Sequence, residues 1–140
     1  MVMIVTRHTL LNGFYNFNKE YFGNELPLPT LIVSNGHRTL GYFKCELNGF
    51  GDMINQSIEI SGNYDYTAEQ FRDILVHEMI HYYLMYSGED TKCHHGKAFK
   101  KMANEFNKKY GMNISATIDL TPFKLKEGKS KLWHKICTFF

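Results

Sequence analysis

The chain has 140 residues, 44% hydrophobic and 21% charged, with a net charge of +2 at pH 7. That is the length and composition of one soluble globular domain with its own core. No stretch approaches transmembrane length, and the apolar start from Met1 to Val5 is too short for a signal-peptide core, so no membrane association is expected. Three cysteines, Cys45, Cys93 and Cys137, form neither a CxxC pair nor an even set. They read as free thiols of a reducing compartment, which points to the cytoplasm.

In chain order, a first helix is expected from Thr9 to Phe22, with Leu10, Phe14, Phe17 and Tyr21 on one stripe and Gly23 as its stop. Pro27 and Pro29 punctuate the following turn. Thr30 to Ser34 is a short β-rich run, and Asn35-Gly36 is a turn signal. Leu40 to Leu47 reads as a second strand. The turn Asn48-Gly49-Phe50-Gly51-Asp52 leads to a third, Ile54 to Ile60, whose isoleucines share one parity.

Thr67-Ala68-Glu69-Gln70 has the form of a capping box. Phe71, Ile74, Leu75, Ile80 and Leu84 then recur at helical spacing, and nothing interrupts until Gly88. A helix of about 20 residues is expected there, near Thr67 to Tyr86. After a polar loop, Ser87 to His94, a third helix runs from Gly96 to Tyr110 with Phe99, Met102, Ala103, Phe106 and Tyr110 as its buried stripe, and Gly111 ends it. Met112 to Ile118 and Trp133 to Phe140 read as two further strands. The order is α+β, with three strands forming a mainly antiparallel sheet against helices. Residues 1–120 are expected to form the domain and 121–140 a basic C-terminal segment, either a returning strand or a truncated one.

The central helix carries His77-Glu78-Met79-Ile80-His81. Two histidines four apart lie on one helix face, one turn apart, and can grip one metal ion together. The glutamate beside the first projects to the flank of the pair, close enough to polarise a bound water without being a ligand. This HExxH arrangement is that of zinc peptidases. It makes His77 and His81 candidate Zn2+ ligands and Glu78 the candidate general base. The competing reading, two satisfied core histidines, leaves Glu78 and the matched spacing unexplained.

Catalytic zinc takes three protein ligands and keeps one position open. A metzincin pattern would need Gly at 84 and His at 87, where the chain has Leu84 and Ser87. A glutamate from the next helix is available in Glu105. His94 and His95 stand just ahead of that helix, and Cys93 is a weaker option. Spacing alone does not separate His94 from His95. Asp73, one turn before His77, is a candidate to orient a ligand ring, with solvated helix surface as the alternative. Tyr82, Tyr83 and Tyr86 are candidates to assist the reaction, with packing as the alternative.

Phe17-Asn18-Lys19-Glu20-Tyr21-Phe22, then Leu26-Pro27, then Val76-His77-Glu78-Met79-Ile80-His81, then His95-Gly96-Lys97-Ala98-Phe99 together resemble the SprT-like family of zinc metalloproteases over residues 9–110. The resemblance implies a zincin-like metalloprotease core, hydrolysis of peptide bonds in protein or peptide substrates, and His95 as the third metal ligand beside His77 and His81. It also suggests DNA-associated proteins as targets. Many members carry a ribbon of paired cysteines after this core. Here only Cys137 stands in that region, so DNA contact through a ribbon is not expected.

Charge offers a separate route to DNA. Residues 1–96 hold 6 Lys/Arg against 11 Asp/Glu, whereas residues 97–140 hold 10 Lys against 3 Asp/Glu. A basic C-terminal third can meet phosphate backbones, although most lysine-rich segments are simply solvated. The alternative to an enzyme is a zinc-stabilised nucleic-acid- or protein-binding domain with little proteolytic activity. Glu78 separates the two, because a structural zinc site has no use for that carboxylate.

Overall fold

The computed structural model describes residues 2–36, 39–92, 94–117, 120 and 122–126. Three helices and a small mixed sheet make up an α+β architecture. Helix α1 (Arg7–Tyr21) starts at Thr6, whose hydroxyl accepts from Thr9 N, and ends ahead of Gly23, which holds φ +62°. Strands β1 (Thr30–Ser34), β2 (Gly41–Leu47) and β3 (Met53–Ser61) form one sheet, and β4 (Tyr64–Asp65) follows. Helix α2 (Ala68–Ser87) opens with the reciprocal box expected of Thr67 and Gln70 and closes on Gly88 at φ +79°. Helix α3 (Lys97–Tyr110) ends at Gly111. A last short strand, β5 (Lys124–Leu125), pairs antiparallel with β4, and Met3 bridges to Tyr66 beside them.

The sheet order is β1-β3-β2. The hairpin β2–β3 is antiparallel, but β3 inserts beside β1 and pairs with it in parallel, Leu31 opposite Ile58 and Val33 opposite Ile60. The expectation of a mainly antiparallel sheet is corrected accordingly. The Asn35-Gly36 signal marks a turn without making β1 and β2 neighbours. Instead Gly36 is held from β3's end, where its carbonyl accepts from Ser61 Oγ and Asn63 Nδ2. β2 is thereby left as an edge strand lying along α2, with Phe43 stacked on Tyr82 at 5.3 Å between ring centroids.

The strand expected over 112–118 is absent from 112–117; Ile118 lies outside the described residues, as do Trp133 to Phe140. Met112 and Ile114 alternate inward as a strand's residues would, and both are buried. Their backbone is paired another way. Asn107 donates through Nδ2 to Ile114 O and accepts Ile114 N at 2.8 Å, while Asp73 accepts Asn113 N. Side chains thus supply the bonds a neighbouring strand would have made.

Asn18 does the same for the turn after α1. Only 3% exposed, it donates to Leu26 O at 2.9 Å and accepts Leu26 N at 3.2 Å. The next carbonyl, Pro27 O, accepts the Tyr82 hydroxyl at 2.7 Å. Helices α1 and α2 therefore clamp the Leu-Pro turn from two sides. Asn18→Ala leaves two buried backbone groups without partners and is expected to cost about 2 kcal/mol. Urea unfolding of the metal-free protein checks this as a lower midpoint at an unchanged slope.

Candidate metal centre

Helix α2 is buried around nearly its whole circumference from Ile74 to Leu84. Inside this apolar stretch His77 and Glu78 are 0% exposed and His81 is 2% exposed. Buried polar groups of this kind are costly unless they are partnered. The third histidine comes from the loop between α2 and α3. His95 Nε2 stands 3.1 Å from His77 Nε2 and 3.2 Å from His81 Nε2.

Three ring nitrogens so close can offer their lone pairs to one point, an arrangement that suits a cation between them. Nitrogens held at about 2.0–2.1 Å on one tetrahedral ion lie about 3.4 Å apart, so the spacing fits a bound metal ion. Among the described residues, His77, His81 and His95 are the group of metal-ligating side chains that converges in this way. The rings are also electrically prepared. Burial pulls His81 down to about 4, with His95 adding to the effect, and burial also lowers His95, helped by His94 and Lys100. Both shifts favour the neutral imidazole that a metal ligand must be.

Phe99 is the base of the cluster. Fully buried on the first turn of α3, it stacks on His81 with ring centroids 4.6 Å apart and lies 4.7 Å from His77 and 4.8 Å from His95. Helix periodicity marks Phe99 only as one member of a buried stripe. Its contact with all three rings depends on how α3 crosses α2, which periodicity does not encode.

Glu78 flanks the cluster, with Oε2 3.9 Å from His77 Nε2. Neither carboxylate oxygen has a hydrogen-bond partner. Burial drives its carboxyl well above the usual range; the Phe43 backbone N–H opposes this only weakly and falls short of hydrogen-bond geometry. Gly41 makes room for the side chain, since a Cβ there would lie 2.8 Å from Glu78 Oε2. A glycine at the start of a strand is a signal of close approach, though the sequence does not say what approaches.

The other candidates fall elsewhere. His94 is a neighbour of the cluster in sequence, its ring 58% exposed and 3.1 Å from an Asp90 carboxylate oxygen. Glu105 is exposed on α3, away from the three rings, and Cys93 lies outside the described residues. Asp73 is bonded to Arg72 and Asn113 N rather than to a ligand ring. Tyr82 is spent on Pro27 O, Tyr83 packs on Phe22 at 5.8 Å, and Tyr86 is exposed.

Residues 10–119 match the SprT-like family, and the chain belongs to it. No curated protein and no solved structure shows significant similarity to the chain.

A buried carboxyl with a raised pKa stabilises the fold below its unfolded value, and that contribution is lost as pH rises toward the folded value. In the metal-free protein, Glu78→Gln removes the buried group whose ionisation burial opposes. It is expected to raise the melting temperature at pH 8 and to change it less at pH 5. Differential scanning calorimetry at the two pH values checks the sign.

Proposed function

We propose that the chain is a zinc-dependent metalloendopeptidase in which His77, His81 and His95 hold the metal and Glu78 is the general base. The observation that carries this reading is the convergence of three imidazoles beside a buried carboxyl group with no hydrogen-bond partner. An all-imidazole set suits zinc, whereas calcium and magnesium call for oxygen donors. Bound there, zinc supplies a Lewis acid that acidifies water and polarises a carbonyl.

The protein's own part is to position and to move a proton. Glu78 takes the proton of the attacking water and returns it to the leaving amine. Its lack of other partners leaves the carboxylate available for that exchange. β2 supplies a place for the substrate. Leu40 O accepts Ser61 N, so alternate residues Leu40, Tyr42 and Lys44 face β3, while the backbone groups of Gly41 and Phe43 point to the open edge beside Glu78. An extended peptide can add along that edge, which supports a protein or peptide substrate.

No helix among the described residues is long and apolar enough to cross a membrane. We place the activity in a reducing, cytoplasmic setting on the cysteine pattern alone. For DNA-associated substrates the support is the lysine side of α3. Lys97, Lys100, Lys101, Lys108 and Lys109 are exposed on the helix that begins next to His95.

Purified chain is expected to carry about one zinc per molecule. Glu78→Gln is expected to keep that zinc and lose at least a hundredfold in peptidase activity, a loss on the scale of general acid–base catalysis, roughly 10²–10⁴. Elemental analysis with a casein-cleavage assay tests both. Zinc with no activity in the parent chain would leave a zinc-stabilised binding domain as the better account.

DNA binding is expected to be weak, indifferent to sequence, and at least as good for single strands as for duplex. A contact made by lysines falls steeply with salt as counterions are released. Fluorescence anisotropy at two salt concentrations measures it. No binding at low salt by zinc-loaded protein would mean that the lysines are only a solvated face.

A further inference from the structure

We infer that Gly41 is a positioning residue for Glu78: the space left by its missing side chain, rather than a hydrogen bond, holds the carboxyl group beside the histidine cluster. The inference rests on the reading of Glu78 as general base and goes beyond it in saying what fixes that base in place.

A general base must stand within hydrogen-bond reach of the proton it takes. Most buried polar side chains are held by hydrogen bonds. Glu78 is not. It is 0% exposed, and neither carboxyl oxygen has a hydrogen-bond partner among the described residues. Packing is what remains to hold it. On one side His77 Nε2 stands 3.9 Å from Oε2. On the other lies the backbone of Gly41. A Cβ at Gly41 would stand 2.8 Å from Oε2, 3.1 Å from Cγ and 3.2 Å from Cδ. The outer half of the side chain, and not its tip alone, therefore lies across the bare α-carbon.

The glycine is there for space and not for backbone freedom. The left-handed conformation is held by Gly23, Gly51, Gly88 and Gly111, and Gly41 is not among them. An L side chain would suit its backbone. Glycine is also a poor strand former, yet this one is paired with Ile60 and buried in β2. Residues two apart on a strand share a face. A side chain at 41 would thus point the same way as Phe43, whose ring stacks on Tyr82 of α2.

Gly41 also meets both halves of the proposed site. Its backbone N–H and C=O point to the open edge where an extended peptide would add, while its α-carbon faces Glu78. Alanine keeps those backbone groups and removes only the space. The carboxyl group must then turn, or β2 must back away, and α2 is buried around Glu78 so that no route leads to solvent. Either shift moves the base relative to the bond it serves. A displacement of about 1 Å can cost on the order of a hundredfold in rate.

The experiment is a double-mutant cycle of Gly41→Ala and Glu78→Ala in the full chain, read by urea unfolding with and without zinc. Gly41→Ala is expected to lower the unfolding midpoint when Glu78 is present. With Glu78→Ala it should leave the midpoint level or raise it, because the methyl group then enters vacated space. A role for Gly41 that does not act through Glu78 gives the same fall in both backgrounds. Activity supplies the second readout. Gly41→Ala should retain zinc and lower kcat by about tenfold or more, with KM within about twofold of the parent's.

Equal falls in the two backgrounds overturn the inference. So does an unchanged kcat, or a loss that lies in KM. If Gly41→Ala alone fails to fold, recovery of folding in the double mutant supports the inference and a second failure overturns it. A parent chain without peptidase activity would instead sink the reading of Glu78 as general base, while the unfolding cycle still decides whether Gly41 confines its side chain.

Discussion

The structure depends on one constraint: two histidines and a glutamate must lie inside an apolar core, on a helix whose neighbours in sequence are Val76, Met79 and Ile80. Burying such groups without partners is unfavourable. Each surrounding feature answers that problem in a specific way. Phe99 closes off the imidazoles from below and limits how they can turn. Gly41 gives up its side chain so that β2 can pass Glu78 closely. The loop brings His95 in, so that three ring nitrogens share one point. What remains unsatisfied is the Glu78 carboxylate, the group from which the proposed chemistry needs availability rather than satisfaction.

Around this centre the irregular segments are held by short polar side chains. Asn18 fixes Leu26, Asn107 fixes Ile114, and Asn48 gathers the hairpin turn by accepting Phe50 N and Asp52 N. Asp90 belongs to the same class. A small domain has few regular elements, so much of its backbone must find partners outside ladders and helices. Asparagine and aspartate suit that task because their side chains mimic a peptide group at short reach. They also explain part of the sequence pattern. In the Phe17-Asn18-Lys19-Glu20-Tyr21-Phe22 segment the asparagine anchors the turn, while Phe17 and Tyr21 pack their rings 5.9 Å apart on one face.

What the sequence made legible was local. The box at Thr67 and Gln70, the glycines that end α2 and α3, and the histidine pair one turn apart are all written within a few residues of each other. What it hid was long-range. Nothing in Thr30 to Ser34 states that β3 rather than β2 will lie beside it, because that pairing is decided by which faces the helices cover. The pairs β4 and β5 are two residues long, too short to carry a period. For Asp73 both ligand support and a solvated helix surface were open, and its angle on the helix sends it instead to Asn113. His94 and His95 were inseparable by spacing because a loop has no period; which ring reaches the cluster is decided by the path of the chain between α2 and α3, and it is His95.

The same burial that encloses the histidine cluster and Glu78 links them to folding. Without a metal, three ring nitrogens crowd one point and burial opposes ionisation of the Glu78 carboxyl. Each is a cost carried by the folded state alone, since the unfolded chain exposes these groups to water. A ligand that binds only the folded form stabilises it in proportion to the logarithm of its concentration over its dissociation constant. A cation at this centre would therefore act twice, once by engaging the crowded ring nitrogens and again by favouring the ionised form of Glu78. The residues of the proposed metal centre are then those whose burial is most unfavourable without the ion, which ties metal binding to the integrity of the fold around it.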